Sequence, residues 1–495
     1  MQLVIPKGVN VLDYLKDKGV FIPAYCGGSG VCGKCLVRVV AGSLDITVND
    51  RFVLSADELD KGYRLACKAY TSSPVRIELP EQTLCFQTSE DMQDTADSTH
   101  TFGIALVIGT TTLAVSLVDI TDKRPVRTVT LANSQALFGA DVITRLSAAS
   151  EHSHRLYDLI CNDISSLIGK LDCTGLDVIK MAIAGNTAMY HLLLRLDCTG
   201  LVKAPFSPMT TGGETLPLSQ LLGRHFKTTG LNDISVYLIK GISAFVGGDI
   251  TSGLASLTDI KPPYLFADIG TNGEIAAVTD KRVLCSSTAA GPALEGGELS
   301  CGMGGVDGAV SRIFMRDDKL HFDMIGTPPA KGLCGSAAVD ALSVMSRCGI
   351  IDATGAFTDA DRQRFEITDN VFVTQDDVRK LQLAKSAIRS GLDITLARAG
   401  LGYSDVSTLV IAGGFGYYLD LDSAAGIGLI PSELLKSAKA LGNTSLRGAQ
   451  RSLYDDEFFN RLEWIIQNAA LIALHDDTDF KNSFISNIDL HTEEV

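Results

Sequence analysis

The sequence predicts a chain of mixed class, a small α+β unit at the N-terminus followed by a long layered α/β unit. Three observations predict it. Residues 1–85 bring Cys26, Cys32, Cys35 and Cys67 together with short strand-like runs at 36–40 and 75–79. Residues 86–101 are polar, acidic and nearly free of large apolar groups, the composition of a flexible linker. From 102 to 495, apolar strands at 104–108, 113–118, 181–184, 264–268 and 408–412 alternate with helical patterns, as in layered α/β folds. Within that stretch Gly109-Thr110-Thr111-Thr112 follows one apolar strand and Gly270-Thr271-Asn272-Gly273 another. A duplicated strand–turn–strand implies two related lobes with a cleft between them, at 102–260 and 261–495.

At 495 residues the chain is too long for one core, so two to four compact units are expected. Hydrophobic residues make up 46% and charged residues 20%, which suits a globular and not a disordered chain. A net charge of −15 argues against nucleic acid as a partner, since phosphates need a Lys/Arg surface. No run of about 18 apolar residues offers a membrane helix, and the first residues lack the charged and apolar regions of a secretory signal. Twelve cysteines in such a chain read as reduced thiols or metal ligands, and the expected compartment is the cytoplasm.

Cys26, Cys32 and Cys35 follow a C-x5-C-x2-C pattern, with Cys67 distant in sequence. A [2Fe–2S] cluster takes four thiolates, here three from one tight loop and one from elsewhere. Glycines 27, 28, 30 and 33 let the backbone wrap the cluster and turn its N–H groups toward sulfur. Zinc is the alternative, but its sites pair two close cysteine knuckles, and Cys67 has no neighbouring ligand.

The two Gly/Thr turns offer backbone N–H groups as fixed dipoles for phosphate. Asp268 ends an apolar strand, where its carboxylate suits hydrated Mg²⁺, and Glu274 is placed to orient a water. After the strand at 408–412, Gly413, Gly414 and Gly416 permit close approach of a flat adenosine. The candidate nucleotide residues are thus Gly109, Thr110, Thr111, Thr112, Asp268, Gly270, Thr271, Asn272, Gly273, Gly413, Gly414 and Gly416, with Asp268 and Glu274 catalytic. Neither a Walker A motif nor a Rossmann fingerprint competes.

Residues 1–80 resemble ferredoxins, including the run Arg64-Leu65-Ala66-Cys67, and the C-x5-C spacing is closer to the adrenodoxin branch than to the plant branch. That resemblance implies a β-grasp fold. Such domains open with a two-stranded hairpin before the first helix, whereas here residues 2–5 lead straight to a helix near 11–16. Either the sheet is trimmed or another segment completes it. The three glycine-containing elements, in this order, resemble the phosphate and adenosine motifs of the acetate kinase, sugar kinase, Hsp70 and actin superfamily. This implies two RNase-H-like lobes closing on ATP and Mg²⁺. That superfamily carries Asp two residues before the first Gly; here Val107 stands there, which leaves hydrolysis slow or dependent on Asp268 or Asp249.

A ferredoxin joined to an ATPase resembles the reductive activators of corrinoid proteins in anaerobic O-demethylase and methyltransferase systems. The resemblance is carried along the chain by Asn133-x-Gln135-x3-Gly139-x-Asp141-Val142-x2-Arg145, Ala184-Gly-Asn-Thr-Ala-Met189, Ser287-Thr-Ala-Ala-Gly-Pro292, Gly332-Leu-Cys-Gly-Ser336 and Ala384-Lys-x-Ala-Ile-Arg389. It implies ATP-dependent reduction of Co(II) to Co(I) on a separate corrinoid protein in a transient complex, fed by an upstream electron donor. A homodimer stays open. Two competing functions are a small-molecule kinase with the ferredoxin as redox sensor, and a plain electron carrier with a degenerate ATPase fold. The other cysteines read as small buried apolar residues and His191 as a packing histidine; Asn186 and Asp249 either line the cleft or cap helices.

Overall fold

The computed structural model describes residues 2–18, 20, 22, 30, 33, 35–79, 99–139, 141–305, 307–327 and 329–490. Cys26, Cys32 and most of the expected linker lie outside the described residues. Thr101, read as the linker's last residue, is instead the first residue of a strand.

In the N-terminal unit β1 (Gln2–Ile5), β2 (Leu36–Ala41), β3 (Tyr63–Leu65) and β4 (Val75–Glu78) form one sheet in the order β1-β4-β2-β3. Ile5, Val37, Leu65, Val75 and Ile77 point to a buried face, against Val11, Leu12 and Leu15 of the helix Val11–Asp17. β1 runs antiparallel to β4, with Ile5 opposite Val75 and Gln2 opposite Glu78. β4 takes β1 directly as its neighbour, and among the described residues no further strand joins the sheet.

The repeat seen in the sequence becomes a repeat of topology. β5 (Thr101–Ile108), β6 (Thr112–Asp119) and β7 (Arg124–Ala132) form an antiparallel meander. β8 (Asp177–Gly185) then pairs in parallel with β5, β10 (Ser235–Leu238) in parallel with β8, and β9 (Thr215–Pro217) borders β10. The second sheet repeats this with β11 (Tyr264–Ile269), β12 (Asn272–Val278) and β13 (Val283–Ala289) as the meander. Between the meander and its parallel strands come a three-stranded sheet, β14 (Ala309–Arg316), β15 (Lys319–Met324) and β16 (Gly332–Leu333), and a hairpin, β17 (Arg364–Thr368) and β18 (Val371–Thr374). β19 (Thr408–Ala412) joins β11 in parallel, β20 (Ala438–Gly442) joins β19, and β21 (Ala469–Ile472) borders β13. β5, β11 and β19 read as unbroken apolar runs because they are covered on both faces.

Helix Val142–Lys170 covers the outer face of the first sheet, and helices Gly335–Arg347 and Gln375–Arg398 cover that of the second. Helices Gly248–Ala255 and Thr444–Arg451 lie between the sheets, in an apolar cluster that takes Ala105, Val107 and Ala184 from one sheet and Phe266, Val410 and Ala412 from the other. Glycine allows these two helices to cross closely: a Cβ on Gly448 would stand 2.0 Å from the Ser252 carbonyl oxygen. Ser252 Oγ donates to the Ser445 carbonyl at 2.8 Å. At the C-terminus, buried Lys385 donates to the Asp489 carbonyl at 2.6 Å and Gln382 to that of Ile488 at 3.1 Å, so part of the Ala384–Arg389 motif anchors the chain end. Among the described residues no helix is long and apolar enough to cross a membrane.

Candidate functional site

The site has two parts, a cysteine cradle and a two-sided cleft. In the cradle, Cys35 ends the loop just before β2 and Cys67 follows β3; both are buried. The β2–β3 ladder places Leu36 opposite Leu65, and the Ala66 N–H donates to the Cys35 carbonyl at 2.8 Å. This joins the distant fourth cysteine to the loop. Asn10 Nδ2 donates to the Cys67 carbonyl at 3.0 Å, and buried Asp50 accepts the Leu65 N–H at 2.8 Å. Gly30 (φ +81°) and Gly33 (φ +69°) have left-handed backbones, and a Cβ there would meet Lys68 Cε at 2.5 Å and Val53 Cγ1 at 2.8 Å. Two buried cysteines at the ends of neighbouring strands, with left-handed glycines at 30 and 33, fit a [2Fe–2S] cluster.

In the cleft, the β5–β6 turn is closed by the Gly109 N–H donating to the Thr112 carbonyl at 3.0 Å, and the β11–β12 turn by Gly270 donating to Asn272 at 2.9 Å. The first turn's carbonyls are drawn back from the cleft. Buried Asn133 takes the Gly109 carbonyl with Nδ2 at 2.8 Å and the Thr111 carbonyl with its own N–H at 2.8 Å. Arg145, fully buried, takes the Thr110 carbonyl at 2.8 Å and that of Gly139 at 3.0 Å. Burial lowers the Arg145 pKa to about 10, and among the described residues it forms no ion pair. The N–H groups of Thr110 and Thr111 find no acceptor among the described residues, so the turn keeps two backbone donors available. The signature Asn133 to Arg145 is thus the support of the first turn.

The second turn carries charge. Asp268 and Glu274 stand directly opposite on β11 and β12, so their carboxylates share a face. Asp249 joins them from the first turn of helix Gly248–Ala255. Burial pushes Asp268 up to about 7, aided by Asp249 and Glu295. Burial likewise pushes Asp249 up to about 6, and raises Glu274 well above the ordinary range with Asp249 and Asp268 adding to it. Among the described residues none of the three forms an ion pair with a Lys or Arg. The oxygens of the three do not converge as a direct ligand set, so this face suits a hydrated divalent cation such as Mg²⁺ held through water.

The structure also sorts the expected glycines. Gly413 (φ +91°) lies against Asp268, where a Cβ would come 2.7 Å from Oδ1, and Gly414 has open space before it, which brings the third motif to the cleft. Gly273 is buried against Ile388, and Gly416 packs on Ile411. Asn186 caps helix Thr187–Leu194 by accepting the Ala188 N–H at 2.9 Å. Glu295 was absent from the sequence candidates. Its Oε2 accepts the Thr271 hydroxyl at 2.5 Å and the Thr111 hydroxyl at 3.4 Å, reaching both turns. Its sequence signal is a lone carboxylate just after the Ser287–Pro292 motif and before Gly296-Gly297.

Elsewhere, His191 is a packing residue: Nε2 accepts the Met209 N–H at 3.0 Å and Nδ1 meets the Thr187 carbonyl at 2.9 Å. Burial pushes the Cys161 and Cys285 thiols up to about 12, which keeps them protonated. His100, Asp119 and Asp122 cluster at the end of the β5–β6 hairpin opposite its turn, where Asp119 accepts the Asp122 N–H at 2.9 Å.

Known proteins match this organisation along the chain. Residues 1–72 match a 2Fe-2S iron-sulfur cluster binding domain, 102–259 the RACo middle region, and 263–495 the C-terminal ASKHA domain of RACo. The corrinoid activation enzyme RamQ of Eubacterium limosum is 32% identical over 419 residues, covering 78% of this chain and 70% of the relative. The chain belongs to the RACo family. A second relative of this RACo-family protein is the [Co(II) methylated amine-specific corrinoid protein] reductase of Methanosarcina barkeri, 25% identical over 406 residues, 75% of this chain and 73% of that one. A solved structure titled reductive activator for corrinoid, iron-sulfur protein superposes with a TM-score of 0.71 at 28% identity, covering 99% of this chain and 97% of that one. The ferredoxin and actin-like expectations both stand: the RACo-family chain carries a [2Fe–2S] domain followed by an ASKHA domain.

Proposed function

We infer that this chain is an ATP-dependent reductive activator that delivers one electron to a corrinoid protein, converting inactive Co(II) to Co(I). The observation that carries this is the presence, in one RACo-family chain, of a cysteine cradle and a cleft with phosphate turns facing a carboxylate set. Family membership sets aside the kinase and plain-carrier readings. The finer reading is a corrinoid partner in a methyl-transfer system of the O-demethylase kind, an upstream electron donor and a cytoplasmic setting.

The reduction is uphill. Plant-type clusters sit near about −400 mV, and each ~59 mV of one-electron mismatch is about a tenfold penalty. When bound, the [2Fe–2S] cluster supplies a one-electron store and Mg²⁺ neutralises phosphate charge. The Gly109–Thr112 turn, its carbonyls held back by Asn133 and Arg145, presents N–H groups to phosphate oxygens. Asp268 and Asp249 would hold the metal, and Glu274 orients the attacking water. Hydrolysis to ADP and phosphate then changes the ligand that spans the two lobes. Such a change does work on the partner only if the partner binds the two states with different affinity.

The test is ATP turnover by the iron-loaded chain, with and without a corrinoid protein held as Co(II). Several-fold stimulation by the Co(II) protein is expected, and equal turnover in both cases contradicts the reading.

A further inference from the structure

Among the described residues Glu295 is the carboxylate that hydrogen-bonds to both turns, and the backbone around it is tightly packed. It ends the short 3-10 turn Pro292–Glu295, bracketed by Gly291 (φ +76°) and Gly296 (φ +77°). Gly335 of the Gly332–Ser336 motif lies so close behind that a Cβ would stand 1.6 Å from the Leu294 carbonyl oxygen and 3.2 Å from the Glu295 nitrogen. The backbone there has no room to move back. Oε2 accepts from Thr271 on the second sheet and from Thr111 on the first, while Oε1 lies 3.4 Å from where a Gly270 Cβ would stand. Among the described residues no Lys or Arg pairs with it.

A carboxylate and a phosphate oxygen seek the same donors. We propose that the Glu295 carboxyl group clasps Thr111 to Thr271 in the nucleotide-free cleft and competes with ATP phosphates for those hydroxyls. It is a positioning residue: it links the two lobes while the cleft is empty, and nucleotide entry frees both turns at once. This rests on the reading that the turns bind ATP.

The experiment is ATP binding by calorimetry on the full, iron-loaded chain, first in EDTA and then with Mg²⁺, for the wild type, the isosteric Glu295→Gln and Glu295→Ala. Both variants are expected to bind metal-free ATP tighter, by roughly tenfold for Glu295→Ala, the scale of one charge-assisted hydrogen bond removed from competition. The gain should shrink in a Thr111→Val background, because half of the clasp is already gone. Unchanged or weaker binding in EDTA overturns the proposal. So does weakening seen only with Mg²⁺, which makes Glu295 a metal ligand. If the wild type binds no ATP under either condition, the underlying nucleotide reading fails instead.

Discussion

The β5–β6 and β11–β12 turns are the same hairpin used twice, each followed by a parallel neighbour strand, yet they differ in what stands behind them. Behind the second are Asp268 on its own strand and Glu274 opposite. Behind the first, at the equivalent position, is Val107, packed in the apolar cluster between the sheets. The first turn instead has a buried guanidinium and a buried amide gripping its carbonyls. A duplicated element has thus divided its labour: one copy offers backbone donors held from below, and the other supplies the carboxylates.

The largest expected effect comes from breaking the charged side. Asp268→Asn should lower ATP turnover on the order of 100-fold, read as phosphate release, while metal-free ATP binding persists. Restoring symmetry should not help. Val107→Asp places a carboxylate in an apolar cluster and should cost about 3 kcal/mol of stability in a urea titration, with no gain in turnover. Weakening the other side should show in binding. Arg145→Met leaves the Thr110 and Gly139 carbonyls without this donor, at ~1–3 kcal/mol for each one left unsatisfied, and should raise the KM for ATP about tenfold with a smaller loss in kcat than Asp268→Asn.

The smallest effect is a pH dependence. Asp268 and Asp249 titrate higher in the folded protein, at about 7 and about 6, than unfolded carboxylates near 3.8. The folded state therefore binds protons more tightly. Their contribution to stability is fully present below pH ~4 and lost as pH rises through their folded values. In EDTA the melting temperature of the wild type should carry a falling component between about pH 4 and 7, and Asp268→Asn should flatten it. The same slope in both proteins would place the source elsewhere.

Much of this was legible in the sequence. The cysteine spacing, both Gly/Thr turns and the apolar strands each depend on short-range pattern, and the structure places β5, β11 and β19 where the runs were read. What short-range pattern does not contain is contact at a distance. Glu295 meets Thr111 across 184 residues and lies in a loop with no periodicity to mark it. Arg145 stood in a quoted signature, but only the fold shows that its charge sits beneath the first turn. A glycine that faces a ligand also looks the same in sequence as one that packs, and only the fold shows that a side chain at 273 would meet Ile388 and one at 416 would meet Ile411. How β1 joins the first sheet could be posed as a question but not answered, because β1 and β4 meet only through long-range pairing.

The most direct measurement follows the cobalt. The chain, iron-loaded and reduced, is mixed anaerobically with a Co(II) corrinoid protein, and the Co(I) absorbance is followed with ATP, with a non-hydrolysable analogue and without nucleotide. Co(I) should accumulate with ATP and Mg²⁺, and be lost with Asp268→Asn or with Cys35→Ala, which should also lose its iron. Equal Co(I) formation without nucleotide, or from the Cys35→Ala chain, would contradict an ATP-driven reduction through this cradle.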